Sequence, residues 1–313
     1  MRDDLPGYRE LPLLHTDGDY RHAWDVYPPG ENLGCLRNLT PRARRRGFAT
    51  VRENTVVNIS LPMNHPDPPL FGRQPLQHTV FSPSRNVMDD RLDRFFTQAS
   101  TQWDGFRHVR AREFGFFTGH PGGFEADDDR LGVNHWAETG IIGRGLLVDV
   151  SARCPATPGE WAAGGHVIDA DALARAVDDA GAEVLPGDVL CVRTGWMRCY
   201  WESDTAGRDC LARSRRWPGL AGSASMAELL WDWRVSAVTA DNPAVEAAPG
   251  RPGDGSLHRR LLPLLGMPMG ELFTFEELAR VCADLGRHEF LFVSVPLNLP
   301  GGVGSPGNAV AVL

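Results

Sequence analysis

Four apolar, strand-like runs in the second half of the chain restrict its possible folds more than any other feature. Residues 145–150 (GLLVDV), 188–193 (DVLCVR), 235–240 (VSAVTA) and 289–297 (EFLFVSVPL) have strand character. Helical segments fall between them. Asp169 to Asp179 (DADALARAVDD) places apolar residues at helical spacing behind an Asp cap, Ser225 to Trp233 does much the same, and Thr274-Phe-Glu-Glu277 offers a capping box for a helix ending near Gly286. Alternation of this kind predicts a mixed α/β domain, in which parallel connections place loops and ligands at strand ends.

The first half is less regular. Thr40-Pro41 forms an N-cap and first-turn pair for a helix through about residue 49, and Thr55 to Leu61 (TVVNISL) reads as a strand. Residues 62–78 read as a long loop, and long loops are often functional. Residues 1–30 lack periodicity and are expected to wrap the surface as an arm, leaving 31–313 as one domain large enough for a substantial core.

Composition excludes several functions. All 32 Lys/Arg positions are Arg, so a Schiff-base lysine, a pyridoxal phosphate anchor and a Walker-type phosphate loop are ruled out. A net charge of −8 argues against nucleic-acid binding, which rests on neutralising phosphates. The basic run Arg42 to Arg46 reads as the solvated face of a short helix. Six cysteines, at 35, 154, 191, 199, 210 and 282, include no C-x-x-C pair. The N-terminus lacks an apolar signal core and no run reaches membrane-spanning length, so the expectation is a cytoplasmic protein that engages no membrane.

The stretch with most chemistry is 98–108, Gln-Ala-Ser-Thr-Gln-Trp-Asp-Gly-Phe-Arg-His. Asp104 and His108 stand four apart, preceded by Gln98 and Gln102, also four apart, between the apolar pair Phe95-Phe96 and the aromatic run Phe114 to Phe117. An acceptor, a titratable ring and aromatic walls are what a small-molecule site requires. Trp103 is a candidate wall, and Arg107 a candidate anchor for a substrate carboxylate or a partner for a surface acid.

This segment resembles a divergent form of the signature His-x-Gly-Thr-His-x-Asp-x-Pro-x-His of the cyclase family, the metal-dependent hydrolases that include bacterial kynurenine formamidase and isatin hydrolase. Thr101, Asp104 and His108 keep the pattern, while Gln98 and Gln102 occupy its first two His positions. The likeness continues through Gly140 to Ser151, Leu185 to Trp196 (LPGDVLCVRTGW), Trp217 to Leu220, Ala240-Asp241-Asn242, Leu257-His258, Gly270-Glu271-Leu272 and the closing VPLNLPGGVGSPGNAVAVL, covering roughly residues 30 to 313. It implies a single α/β domain with a β-barrel-like, swivelling central sheet and flanking helices, assembled as a homodimer.

What the resemblance implies for the site follows residue by residue. Asp104 becomes a metal ligand or polariser, His108 the proton shuttle, and His258 and Glu271 stand where a distant His and Glu complete the site. Gln98 and Thr101 join Trp103 and Arg107 as substrate contacts. Because an amide is a poorer ligand for Zn²⁺ than imidazole, three arrangements are open. A divalent metal (Zn or Mn) shifts onto Asp104, His258 and Glu271, with Gln102 as a weak oxygen ligand. A harder ion, Mn²⁺ or Mg²⁺, is preferred. Or the metal is lost and acid–base chemistry remains. The expected activity is hydrolysis of an amide- or lactone-type small molecule. A metal-free lyase, dehydratase or cyclase, and a catalytically silent binding protein, are the alternatives. His65, His78, His120 and His135 are expected to be ordinary loop or packing residues, Cys191 a buried core residue, and Gly301 to Ser305 a tight turn into the last strand.

Overall fold

A computed structural model describes residues 5–14, 19–125, 127–153 and 157–313; parts of the N-terminal arm (1–4 and 15–18) and Cys154 lie outside the described residues. Its strands are β1 (Val56–Asn58), β2 (Gln77–Ser84), β3 (Val87–Asp93), β4 (Gln102–Asp104), β5 (Ile141–Asp149), β6 (Val167–Ile168), β7 (Val189–Arg193), β8 (Gly219–Leu220), β9 (Ala237–Ala240), β10 (Met269–Glu271), β11 (Glu289–Ser294), β12 (Gly304–Pro306) and β13 (Ala309–Val312).

Nine of these form one curled sheet in the order β1-β13-β11-β5-β7-β9-β10-β4-β12. Its centre, β5-β7-β9-β10, is parallel, and antiparallel strands extend it on both sides. Both faces of the centre are covered, so β7 and β9 are buried throughout and their mainly apolar residues do not alternate. The mixed α/β expectation and the curled, barrel-like sheet are both met.

Local signals act where they were read. Thr40 caps the helix Pro41–Phe48 by accepting from Ala43 N, and Asp169 caps Ala170–Asp179 through Ala172 N. The capping box at Thr274 does not form. Helix Glu276–Leu285 starts behind Phe275 with no side-chain cap, because Phe273 and Phe275 are drawn fully into the core and stack on each other. Tertiary burial of two aromatic rings outweighs one cap. The described part of the arm does more than wrap the surface: Tyr8, Leu11, Ala23 and Tyr27 belong to the main core.

Two stretches noted above prove to be one structural device. Asp241, at the end of β9, accepts from Thr194 N and Oγ1, both at 2.6 Å, and from Gly195 N at 2.9 Å. The carboxylate thus pins the turn from β7 into helix Trp196–Glu202. Cys191 is buried, as expected.

The predicted loop 62–78 ends early. Residues 77–93 form the hairpin β2–β3, which pairs with itself alone and is exposed along both strands. No Asn-Gly or Asp-Gly turn marks it in the sequence.

Candidate active site

Strand β4 is three residues long, and its alternation arranges the site. Gln102 and Asp104 share one face, while Trp103 takes the other. In the antiparallel ladder with β10, Gln102 sits opposite Glu271, and Asp104 opposite Met269. Directly opposed residues project from the same face of a sheet. Asp104, Gln102 and Glu271 are therefore neighbours because of strand register, and all three are buried. Gln102 Nε2 donates to Glu271 Oε2 at 2.5 Å.

On the opposite face, the Trp103 indole N–H donates to Ser294 Oγ at 2.9 Å, and its ring meets Phe273 and Phe292 edge-on. Gly270 makes room for it, since a Cβ there would lie 2.7 Å from Phe273 and 3.2 Å from Trp103. Trp103 is thus core and not a wall of the site. Trp103→Ala should cost about 3–5 kcal/mol of stability, read by urea denaturation, through the cavity it leaves and the lost bond to Ser294. A loss below about 1 kcal/mol would contradict this placement.

His258 reaches the cluster from the short helix Leu257–Arg259, in the crossover between β9 and β10. Its Nδ1 is 2.5 Å from Glu246 Oε1, which turns Nε2 toward Glu271 Oε1 at 3.1 Å and Asp104 Oδ2 at 3.6 Å. A carboxylate behind one imidazole nitrogen fixes the ring and its tautomer. Glu246 also accepts from Leu257 N, so one side chain both starts the helix and orients its histidine. His108 approaches from the other side, with Nε2 3.6 Å from Asp104 Oδ2. Gln98 bridges the two, bonding Asp104 Oδ1 and lying 3.2 Å from His108 Nδ1. Gly304, opposite Asp104 in β12, permits this, because a Cβ would stand 2.6 Å from the Gln98 side chain. The closing glycine-rich segment thus shapes the site as well as turning into a strand.

Charge is unevenly matched here. Three carboxylates (Asp104, Glu246, Glu271) face two imidazoles. Burial opposes ionisation of Asp104, but His258, His108 and Gln98 outweigh it and hold its carboxyl below the usual range. Burial and then the Asp104 charge push Glu271 up to about 8, against the pull of His258 and Arg73. Burial also works against a charge on His258, yet the surrounding carboxylates raise it well above its ordinary value. His108 goes the other way: burial lowers it, and Asp104 only partly compensates. It is also the more open of the two imidazoles, its side chain 31 % exposed against 13 % for His258.

Ligand atoms of Asp104, His258 and Glu271 all lie within 4.8 Å of one another. Two acceptors beside them, Asp104 Oδ2 and Gln102 Oε1, are buried without a hydrogen-bond partner. Orphaned oxygens next to a histidine and a second carboxylate suit a divalent cation. The residues present therefore fit a metal.

The remaining candidates lie elsewhere. Arg107 does not reach the cluster: its guanidinium binds the carbonyls of Arg130, Gly301 and Asp128 and lies 3.8 Å over the Phe124 ring. All three guanidinium nitrogens are thus held by loop carbonyls, with the Asp128 carboxylate 3.5 Å away, so the group is committed to the loop. The Thr101 hydroxyl donates to Leu272 O and accepts from Leu61 N, so it ties β4 to the residue after Glu271. His65 pairs with Tyr200, His78 with Asp90, His120 stacks on Phe124, and His135 approaches Asp129. Sequence reasoning missed Glu246 and Arg73. The available signal for Glu246 was a lone acid in the apolar, Pro-flanked run 243–249.

Comparison with known proteins agrees with this architecture. The family model of the putative cyclases matches residues 57–247, more than half of the chain. The chain belongs to the putative cyclase family. The crystal structure of a novel cyclase is 28 % identical, with a TM-score of 0.80, covering 93 % of this cyclase and 99 % of that chain. Isatin hydrolase A from Labrenzia aggregata, bound to benzyl benzoate, shares 15 % identity at a TM-score of 0.59, over 84 % of this chain and 94 % of its own. An isatin hydrolase bound to the product analogue thioisatinate shares 16 % at 0.58, over 88 % and 98 %. At those identities the two hydrolases show a common fold. No curated protein sequence matches this cyclase. Among the described residues, no helix is long and apolar enough to cross a membrane.

Proposed function

We propose that this cyclase is an enzyme that hydrolyses the amide or lactone carbonyl of a small molecule, at a site built on Asp104, His108, His258 and Glu271. The observation that carries the reading is the convergence of these four side chains, drawn from three separate segments, around two unpartnered oxygens. Asp104, His258 and Glu271 would hold a divalent cation, Zn or Mn, with Gln102 Oε1 as a further oxygen donor. Such an ion supplies carbonyl polarisation and acidifies water.

The chain's own groups account for the remaining work. His108 is neutral near pH 7, since burial lowers its pKa, and is therefore ready to accept a proton. Gln98 holds the ring so that Nε2 faces Asp104 Oδ2. The ring takes a proton from the attacking water and returns one to the leaving nitrogen or oxygen as the C–N or C–O bond breaks. Glu246 keeps His258 oriented, and Gln102 steadies Glu271.

His108→Ala should lower kcat on a responsive amide or lactone by about 10²–10⁴-fold. Its metal content should be unchanged, as measured by inductively coupled plasma mass spectrometry. Full turnover in that variant would remove His108 from the reaction. A metal-free lyase or cyclase has one observation in its favour: a Glu271 pushed up to about 8 is a proton donor at neutral pH. Activity that survives exhaustive chelation would favour it. A silent binding pocket has no use for a positioned acid–base pair, and the geometry supports the enzyme reading over it.

We also propose that the working form is a homodimer, held by the exposed hairpin.

A further inference from the structure

Arg73 carries a positive charge toward this site without a partner. It follows the turn Leu70–Gly72 on the long loop between β1 and β2 and is only partly exposed. Its Nη1 is buried with no hydrogen-bond partner, and among the described residues its guanidinium makes no hydrogen bond or ion pair. The one contact it does make is with the Phe71 ring, 5.3 Å away. The acids whose charge it senses are Glu271 and Asp104, and His108 in turn senses the charge of Arg73. The partly buried, unpartnered guanidinium therefore lies within electrostatic range of the site.

Other inward-facing arginines each hold at least one partner, although Arg46, Arg198 and Arg287 also leave one guanidinium nitrogen buried without one. Arg144 binds Asp188, Arg193 binds Glu276 and Asp149, and Arg260 binds Asp19 and Gly222 O. A guanidinium does not shed its charge, so leaving it half-desolvated and unpaired is costly. Glu271 does not relieve it, being taken up by His258 and Gln102. Among the described residues, then, none supplies the missing acceptor.

Resting on the hydrolase reading, we infer that Arg73 binds a carboxylate of the substrate, remote from the bond that breaks. The planar fork matches a carboxylate with two parallel N–H···O bonds. A phosphate fits less well, because Asp104 and Glu271 stand close by and repel a second negative charge more strongly than a first. The substrate class is thus a small amide or lactone bearing a free carboxylic acid, with Arg73 setting which end enters.

The experiment is isothermal titration calorimetry with matched acid and carboxamide pairs, from benzoate and benzamide to hippurate and hippuramide. The protein is titrated as purified, alongside R73Q and R73K. In the wild type, at least one acid should bind about tenfold or more tightly than its carboxamide. R73Q should bind both members of that pair equally, and R73K should recover part of the preference, as a point charge without the fork does. A panel in which no acid outbinds its carboxamide up to ~10 mM, or in which R73Q keeps the preference, overturns the assignment. Acid-selective binding without turnover of any hydrolysable member would remove the hydrolase reading and leave Arg73 in place. Turnover that is indifferent to the carboxylate, and unchanged in R73Q, would remove Arg73 alone.

Discussion

Asp104→Asn should strip the purified protein of bound divalent metal and lower turnover by about 10³-fold or more, with the fold intact. Asp104 is the one residue shared by every part of the site. Its Oδ1 takes the Gln98 amide, and its Oδ2 lies 3.6 Å from both His108 Nε2 and His258 Nε2. An asparagine has the same shape but no charge, so the cation loses one of two carboxylates and His108 loses its electrostatic partner. Stability should move the same way. Asp104 is held below the usual carboxylate range by His258, His108 and Gln98, so its charge stabilises the folded state above that range, and neutralising it gives this up. Relief of the raised Glu271 offsets only part of the loss, so the metal-free variant should melt below metal-free wild type. The measurements are metal content of protein purified without added metal or a histidine tag, steady-state turnover, and a thermal melt in chelator. Stoichiometric metal retained in Asp104→Asn would show that the cation does not rest on this carboxylate.

Removing the hairpin should turn a dimer into a monomer. Strands β2 and β3 carry Val80, Phe81, Val87, Met88 and Leu92 on exposed surfaces, with Met88 67 % exposed. A two-stranded ribbon alone is marginally stable in water, and one that displays this much apolar surface needs something to lie against. The same chain offers a counterpart beside it. Leu61, Met63, Phe95, Phe96, Val295 and Leu297 border a cavity of about 390 Å³. An apolar projection and an apolar hollow on one chain are what a two-fold interface uses, each copy filling the other. Gln77 and Asp93 pair directly in the ladder, so their ends are close enough for a two-residue Gly linker to replace residues 78–92. Light scattering coupled to gel filtration should report half the wild-type mass for that deletion. Met88→Asp with Val80→Asp should do the same while keeping the full chain. A wild type that runs as a monomer, or a deletion that stays dimeric, would end the proposal.

Much of the site could be read from residue order, though not its geometry. Asp104, His108, His258 and Glu271 were marked by residue type and by the resemblance, and the fold brings them together. Trp103 packs in the core, and since three residues of β4 are too short to display a period, its face became clear only from the ladder with β10, while Thr101, just before the strand, is spent on backbone bonds. For Arg107 the alternative of pairing with an acid holds, through Asp128, but most of its bonds go to carbonyls at 128, 130 and 301, which no side-chain pattern announces. Glu246 and Arg73 sit on irregular segments, where position follows from how the chain packs and not from any repeat. The parallel core strands were legible because burial on both faces leaves a plain apolar run. The hairpin was not, because its strands mix acids with apolar residues and enclose no diagnostic turn.

The register of β4 also has a consequence in time. This strand lies between β10 and β12, both encoded far downstream, and its Gln102 meets a glutamate 169 positions away. Closing so long a loop comes late, after the nearer contacts around β5, β7 and β9 have formed. A growing chain therefore carries Asp104 and His108 through most of its synthesis as an unassembled segment. The site comes into being only when residues up to 306 have emerged and β4 has been enclosed on both sides. An incompletely made copy of this protein can be largely folded and still have no active centre.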